Sequence, residues 1–260
     1  MKRLFLLLFA VTPILGAEVP PEIEDATVTG INKLPPRGNH WPQPAGRGVA
    51  PVAYGKGPWV RSLNGTWKFH WSARPEQRPA DFHKAGFDAS EWGVIPVPST
   101  WEREGHGTPH YVNIKYPYHV DPPRVMGDPD ESFTTYRERN PVGSYLRDFE
   151  VPDHWNGKRV ILHFGGVRSA LFVWVNGRSA GYSQGSRLPA EFDITDLLRS
   201  GVNRLAVEVY KFSDGSYLED QDFWRLGGIY RDVFLAAIPA DGLWDVHVEP
   251  IIDLKSGEGR

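Results

Sequence analysis

The sequence predicts an all-β fold, a β-sandwich of jelly-roll topology with an extended N-terminal arm. Three observations support this prediction. Short runs of alternating apolar and polar residues recur between residues 61 and 239. Gly, Asn and Pro turn signals separate them, often at intervals of about eight to twelve residues, and helical periodicity is almost absent. Long loops between the strands favour a jelly roll over an immunoglobulin-like sandwich.

The composition is that of a folded chain without cysteine. The 260 residues are 40% hydrophobic and 13% aromatic, which is enough to fill the core of one large domain or two small ones. Without cysteine there are no disulfides and no thiolate metal sites, so stability must come from packing. The formal net charge of −3 offers no field that attracts nucleic acid or an anionic membrane. We therefore expect neither as a partner.

The first 17 residues predict an export signal. Lys2 and Arg3 supply positive charge, residues 4–11 form an apolar run, and Ala17 is a small residue suited to cleavage. The run is too short to span a bilayer, and no later stretch reaches the roughly 20 apolar residues of a membrane helix. A buried N-terminal strand or helix is the alternative. The pattern favours a signal peptide and a periplasmic or secreted location.

An arm and a first strand follow the signal. Residues 18–60 are rich in Pro, Gly and isolated charges with little periodicity, which predicts an extended arm. The domain itself is predicted over residues 61–239. Near its start the turn signal Asn64-Gly65 precedes three aromatic residues that alternate with polar ones, namely Trp67, Phe69 and Trp71. This alternation predicts a strand with one aromatic face.

Further strands are predicted along the rest of this domain. Residues 94–98 form an extended segment whose two prolines place it at a sheet edge. The loops of residues 101–140 are long enough to suggest a function. Asn176-Gly177 predicts a type I′ hairpin, and residues 193–198 a single helical turn. Six more strands are predicted, over residues 143–151, 158–164, 170–175, 179–183, 204–210 and 231–237.

The last segment predicts one more strand. Residues 244–250 alternate in polarity after a turn signal at residues 239–242. A single strand cannot stand as a domain. It either completes the sandwich or begins another domain, and we expect residues 240–260 to be the start of a truncated immunoglobulin-like β domain.

Four stretches together resemble the N-terminal sugar-binding domain of glycoside hydrolase family 2 β-galactosidases. They are YVNIKYP at 111–117, NPVGSY at 140–145, SRLPAEFD at 186–193 and the run 213–233. The last is the most specific, since it reads SDGSYLEDQDFWR followed by GIYRDV. The resemblance implies a jelly roll that is followed, in the whole enzyme, by an immunoglobulin-like domain, a catalytic (β/α)₈ barrel and further β domains.

By this resemblance, Asn113 and Asp222 match positions at which jelly-roll loops contact the non-reducing galactose. Both residue types suit hydroxyl groups, because an ionised Asp accepts hydrogen bonds and an Asn amide both donates and accepts. From the residues alone, Asp222 equally fits a loop carboxylate that caps backbone amides or pairs with Arg225, and Asn113 fits a turn residue. Asp214 is predicted to be a turn residue, and Trp224 to fill the core rather than to stack on a sugar.

No catalytic residue is predicted within these 260 residues. Retaining glycoside hydrolysis needs two carboxyl groups about 5 to 5.5 Å apart, and by the resemblance both are barrel glutamates. Asp220 and Asp222 would share a face of an extended segment, but only their spacing supports such a pair. The resemblance also assigns magnesium ligands to the barrel and suggests Asp222 as one ligand of a sodium ion. Magnesium and sodium are thus expectations for the full-length enzyme.

Two functions are compatible with these features. The first is the N-terminal part of a retaining β-galactosidase that hydrolyses terminal β-D-galactosides, supplies galactose-subsite loops and is inactive without its barrel. Its partners would be the β-galactoside, that barrel and further copies of the enzyme, since the arm at residues 30–36 is also family-like. The alternative is a free-standing secreted carbohydrate-binding module, suggested by ten tryptophans and the export signal. The sequence leaves the glycoside itself open.

Overall fold

The structure is a computed structural model, and it describes residues 18–38, 40, 42–43, 55–133, 136–219, 221–257 and 259. The predicted signal peptide, residues 1–17, lies outside these residues. The described chain consists of strands and six short 3₁₀ turns, with no α-helix among them. Nowhere in it is there a helix that is long and apolar enough to cross a membrane. The all-β prediction is confirmed.

Fifteen strands and six turns make up the described structure. The strands are β1 Gly30–Ile31, β2 Val60–Ser62, β3 Gly65–Ser72, β4 Gly93–Val97, β5 His110–Val112, β6 Val142–Glu150, β7 Lys158–Phe164, β8 Val167–Arg168, β9 Ala170–Val175, β10 Arg178–Ser183, β11 Ala190–Asp193, β12 Val202–Tyr210, β13 Phe223–Arg225, β14 Gly228–Ile229 and β15 Val233–Pro239. The 3₁₀ turns are Pro21–Glu24, Pro75–Gln77, Trp101–Glu104, Asp153–Trp155, Thr195–Leu197 and Asp214–Tyr217.

Two antiparallel sheets enclose the main core. One has seven strands in the order β1-β10-β9-β12-β6-β3-β4, and the other has four in the order β11-β7-β15-β2. Alternate residues of both sheets meet in one apolar cluster, for example Val207 of β12 and Leu162 of β7. Residues i and i+2 of a strand share a face, so this alternation packs one sheet on the other. The β-sandwich is confirmed, and its jelly-roll order stays a prediction.

Local sequence signals account for several elements. Trp67 and Phe69 are buried on one face of β3 and Trp71 is half-buried, which confirms the aromatic face. β4 lies at the edge of its sheet, as its proline requires. Asn176 and Gly177 have φ angles of 53° and 82°, the positive values of a type I′ turn between β9 and β10. The predicted single turn is the 3₁₀ turn Thr195–Leu197.

The arm contributes to both the sheets and the core. Ile23 is fully buried in a second apolar cluster, β1 adds an edge strand by pairing with β10, and Lys33 forms a bridge with Phe192. Arg37 then donates two hydrogen bonds to Glu191, of 2.8 and 2.9 Å. Several contacts thus join the described part of the arm to the sandwich, whereas residues 39, 41 and 44–54 of the predicted arm lie outside the described residues.

The strand predicted over residues 244–250 is wrong. These residues form no strand, and Leu243, Val246 and Val248 are exposed. The alternation is present in the sequence, but a strand needs a neighbour to accept its hydrogen bonds, and these residues have none from either sheet. The domain boundaries proposed from the sequence stay predictions.

Candidate functional site

The two predicted sugar-contacting residues lie at the same end of a short ribbon. β5 and β13 pair antiparallel, with Val112 opposite Phe223 and Tyr111 opposite Trp224. Extending this register by one pair places Asn113 opposite Asp222. Two segments that are far apart in the sequence thus bring an amide and a carboxylate to the same end of this sheet. We call this two-stranded sheet the β5–β13 ribbon.

Asp222 is held by a residue that the sequence did not single out. The hydroxyl of Tyr111 donates a hydrogen bond to Oδ1 of Asp222, and this bond raises the pKa of the Tyr111 hydroxyl. The guanidinium of Arg225 donates instead to the backbone oxygens of Glu219 and Gln221, over 3.3 and 3.0 Å. One carboxylate oxygen of Asp222 is therefore fixed by a neutral donor.

Asn113 is exposed and directly follows β5. It lies in the bend that leads to Tyr116 and Pro117, so the turn position expected from the sequence is compatible with its place in the structure. An amide beside a carboxylate offers two N–H donors and several acceptors, which is the combination that vicinal sugar hydroxyls need. Contact of either residue with a sugar stays a prediction.

The prediction that Trp224 fills the core is wrong. Its side chain is 54% exposed, and that of Tyr111 is 48% exposed. Their ring centroids lie 5.7 Å apart with the planes tilted by 59°. In a strand, alternate side chains point to opposite faces, so Trp224 points away from Phe223 and Arg225. A run of three residues is too short for this alternation to be read from the sequence.

On the opposite face of the ribbon, three arginines pack against the ring of Phe223. The guanidinium carbons of Arg168, Arg225 and Arg187 lie 4.2, 4.3 and 4.7 Å from the ring centre of Phe223. Burial, together with the charges of the other two arginines, lowers the pKa of Arg168 to about 10. These cation–π contacts hold the side chain of Phe223, the residue that follows Asp222.

The segment before β13 is anchored by capping and by a carboxylate. Ser213 and Ser216 form a capping box around the turn Asp214–Tyr217, so the predicted turn position of Asp214 is confirmed. Burial raises the pKa of the Asp214 carboxyl. Glu219 accepts hydrogen bonds from the backbone N–H and the hydroxyl of Ser186, at 2.6 and 2.5 Å. Two of the stretches that carry the family resemblance, 186–193 and 213–233, are thus joined by hydrogen bonds.

A buried ion pair between Lys211 and Glu102 lies next to the chain that follows β13. Lys211 Nζ lies 2.7 Å from Glu102 Oε1, and only 4% and 1% of their side chains are exposed. The N–H of Gly227 donates to Glu102 Oε2 over 3.0 Å. A Cβ at position 227 would come within 2.5 Å of the Trp101 ring, which explains the glycine. The chain that follows the ribbon therefore packs closely against Trp101 and Glu102.

An open cleft of about 650 Å³ is lined by the residues that follow Asn113 in the sequence, beginning with Ile114. This volume is within the usual range of small-molecule sites. The arm supports the loop around it, because Glu24 accepts hydrogen bonds from the N–H groups of Val125 and Met126, at 2.6 and 2.9 Å. The cleft is lined by apolar and charged side chains, among them Ile114, Lys115, Tyr116, Val120, Asp130 and Phe133.

The described residues bring together no group of three or more His, Asp or Glu side chains that could hold a metal ion. Because Oδ1 of Asp222 accepts from Tyr111, Oδ2 is the oxygen that Asp222 would offer to a sodium ion. The sodium site needs further ligands from elsewhere and stays a prediction.

Residues 60–239 match the family model described as "Glycosyl hydrolases family 2, sugar binding domain". The chain belongs to glycoside hydrolase family 2. The family predicted from the four sequence stretches is therefore confirmed, and the site described above lies within the matched residues.

Relatives of this family member agree with that assignment. A β-galactosidase of Halalkalibacterium halodurans is 40% identical over 238 residues, which are 89% of this chain and 22% of the relative. A β-galactosidase of Yersinia pestis is 47% identical over 193 residues, which are 74% of this chain and 17% of the relative. The chain thus spans about a fifth of the length of these relatives.

Solved structures show a similar fold. A β-glucuronidase from an uncultured Clostridium species superposes with a TM-score of 0.56 at 25% identity, over 75% of this chain and 32% of that one. A similar fold thus occurs in a protein named β-glucuronidase.

Proposed function

We propose that this chain is the sugar-recognising N-terminal part of a retaining β-galactosidase that hydrolyses terminal β-D-galactosides. The observation that supports it most is the β5–β13 register, because its last pair is Val112 and Phe223, and Asn113 directly follows Val112 while Asp222 directly precedes Phe223. The relatives named β-galactosidase, at 40% and 47% identity, support galactose over other sugars.

The chemistry of the pair suits a galactose subsite. Oδ1 of Asp222 is engaged by Tyr111, so Oδ2 is available to accept hydrogen bonds from sugar hydroxyls. Asn113 adds a donor and an acceptor beside it. Charge-assisted hydrogen bonds are about twice as strong as neutral ones, and a site built on them rejects a sugar that lacks the matching hydroxyl. Binding at these loops would orient the glycosidic bond toward the catalytic groups.

Catalysis itself would need residues outside this chain. The retaining reaction uses a nucleophile and an acid/base, both carboxyl groups, and we propose that both belong to a barrel of the same enzyme. The 260 residues alone would then be inactive. Magnesium would be bound by that barrel, and sodium by the barrel together with Asp222. We further propose an exported enzyme that forms homo-oligomers.

Asp222→Asn and Asn113→Ala in the full-length protein test the proposal. Each removes a hydrogen-bonding group of the subsite, and a bond to a charged group contributes about 1.5–3 kcal/mol. We expect kcat/KM for a β-galactoside to fall roughly 10- to 100-fold in Asp222→Asn. Asp148→Asn, which alters an exposed ion pair with Arg204 elsewhere in the sandwich, is the control. Unchanged kinetics in both subsite variants would refute the proposal.

A second function is favoured by the exposure of Trp224 and Tyr111, since exposed aromatic rings are what a free-standing carbohydrate-binding module uses. Calorimetric titration of the isolated chain with galactose separates the two. A module predicts a millimolar or tighter Kd that is lost in Trp224→Ala but kept in Asp222→Ala. The enzyme part predicts no measurable binding by the isolated chain.

A further inference from the structure

Tyr111 and Asp222 are 111 positions apart in the sequence and are joined by a hydrogen bond on the exposed side of the β5–β13 ribbon. An exposed carboxylate without a fixed donor rotates about χ1 and χ2, and binding a sugar would then have to restrict that motion. A hydroxyl that donates to Oδ1 restricts it in advance. The contact therefore affects how Asp222 is presented to a ligand.

The ring of Tyr111 is itself held in place. Tyr111 and Trp224 are directly opposite each other in the ribbon, and their rings lie 5.7 Å apart at a tilted angle. Such pairs are stabilised beyond the area that they bury. Trp224 also accepts a long hydrogen bond of 3.4 Å, at its backbone oxygen, from Arg168. The donor to Asp222 thus rests on a cross-strand neighbour that is tied to the sandwich.

Core packing does not account for this pair of rings. Both are about half exposed, whereas Val112 and Arg225, their neighbours in the ribbon, are buried. Buried aromatics are explained by the apolar area that they remove from water, but these two leave much of theirs in solvent. Instead, the contact with Trp224 holds the Tyr111 hydroxyl beside the Asp222 carboxylate.

We propose that Tyr111 is a positioning residue for Asp222. The inference rests on the proposed function and adds a residue to it. Tyr111 donates to Oδ1 and restricts Asp222 to orientations in which Oδ2 accepts from the sugar hydroxyls, while Trp224 restricts the tyrosine ring. A site whose polar groups are held by their neighbours binds with less loss of conformational freedom.

A double-mutant cycle in the full-length protein tests this role. Tyr111→Phe keeps the ring and its contact with Trp224 but removes the hydroxyl. We expect kcat/KM for a β-galactoside to fall about tenfold in the wild-type background, as for the loss of a bond to a charged group. In an Asp222→Ala background the same substitution should change kcat/KM less than about twofold, because the oxygen that accepts from Tyr111 is gone. Tyr136→Phe, which removes a hydroxyl beside Arg137, is the matched control.

The outcomes separate the two proposals. If Tyr111→Phe lowers kcat/KM equally in both backgrounds, Tyr111 acts on folding or elsewhere and the positioning role is wrong. The role is also wrong if Tyr111→Phe has no effect while Asp222→Asn does. If Asp222→Asn itself leaves the kinetics unchanged, the galactose subsite is wrong and the positioning role fails with it. Thermal unfolding of each variant shows whether a lost activity reflects a lost fold.

Discussion

Removal of the buried carboxylate of Glu102 should strongly destabilise the sandwich. In Glu102→Gln, the ammonium of Lys211 stays buried, with 4% of its side chain exposed, but loses the charge that lies 2.7 Å away. Breaking a buried ion pair by removing one partner costs about 3–5 kcal/mol. Because a glutamine oxygen can still accept from Gly227, we expect the lower end, about 3 kcal/mol, or roughly 6–12 °C in Tm.

Urea unfolding followed by tryptophan fluorescence measures this loss. The control is Asp148→Asn, because Asp148 pairs with Arg204 at 2.9 Å but 51% and 35% of the two side chains are exposed. Such exposed pairs contribute about 1 kcal/mol or less. Glu102→Gln/Lys211→Met removes both charges and should recover part of the stability. If Glu102→Gln costs no more than Asp148→Asn, the argument from burial is refuted.

Three further predictions concern Gly227, which follows the ribbon, and the arm with its partner Glu191. Gly227→Ala should destabilise the chain by about 1–3 kcal/mol in urea unfolding, because its Cβ would lie 2.5 Å from the Trp101 ring. Ile23→Ala should cost about 2–5 kcal/mol in the same assay, since Ile23 is a fully buried residue of the arm. Burial alone would raise the pKa of Glu191, but hydrogen bonds from His163 and Arg37 hold it below its ordinary 4.5. Its stabilising contribution should therefore be complete above pH 4.5 and be lost as the pH falls below it.

Each of these predictions has its own control. Gly86→Ala is matched to Gly227→Ala, because no atom lies within 4 Å of its Cβ, although its φ of +81° adds some strain. Val94→Ala removes an apolar side chain that is 58% exposed and should change stability far less than Ile23→Ala. For Glu191, the stability difference between wild type and Glu191→Gln should shrink below pH 4.5. A constant difference down to pH 3 would contradict the linkage argument.

Sequence patterns predicted the strands well where the pattern was long. β7 and β9 lie where they were predicted because several alternating residues and flanking turn residues agree on each. The hairpin at Asn176-Gly177 was predictable from two residues, since few other pairs adopt two positive φ angles. In these cases local chemistry and the tertiary fold favour the same conformation.

Other features depend on tertiary neighbours that no local pattern shows. Residues 244–250 alternate but have no adjacent strand, so they do not form one. The arm lacks periodicity, yet Ile23 is buried because it packs under a loop that lies far along the chain. Asn113 and Asp222 were predicted from a family resemblance, whereas Tyr111 could have been found only from the cross-strand register.

The two faces of the β5–β13 ribbon differ in exposure. The rings of Tyr111 and Trp224 are about half exposed on one face, while Phe223 on the other face lies against the guanidinium groups of Arg168 and Arg187. Substitutions of Asn113 or Asp222 would leave the apolar core unchanged, so they should cost little stability. The proposed subsite can therefore change its sugar during evolution one residue at a time on an unaltered scaffold. A similar sandwich does occur in a protein named β-glucuronidase.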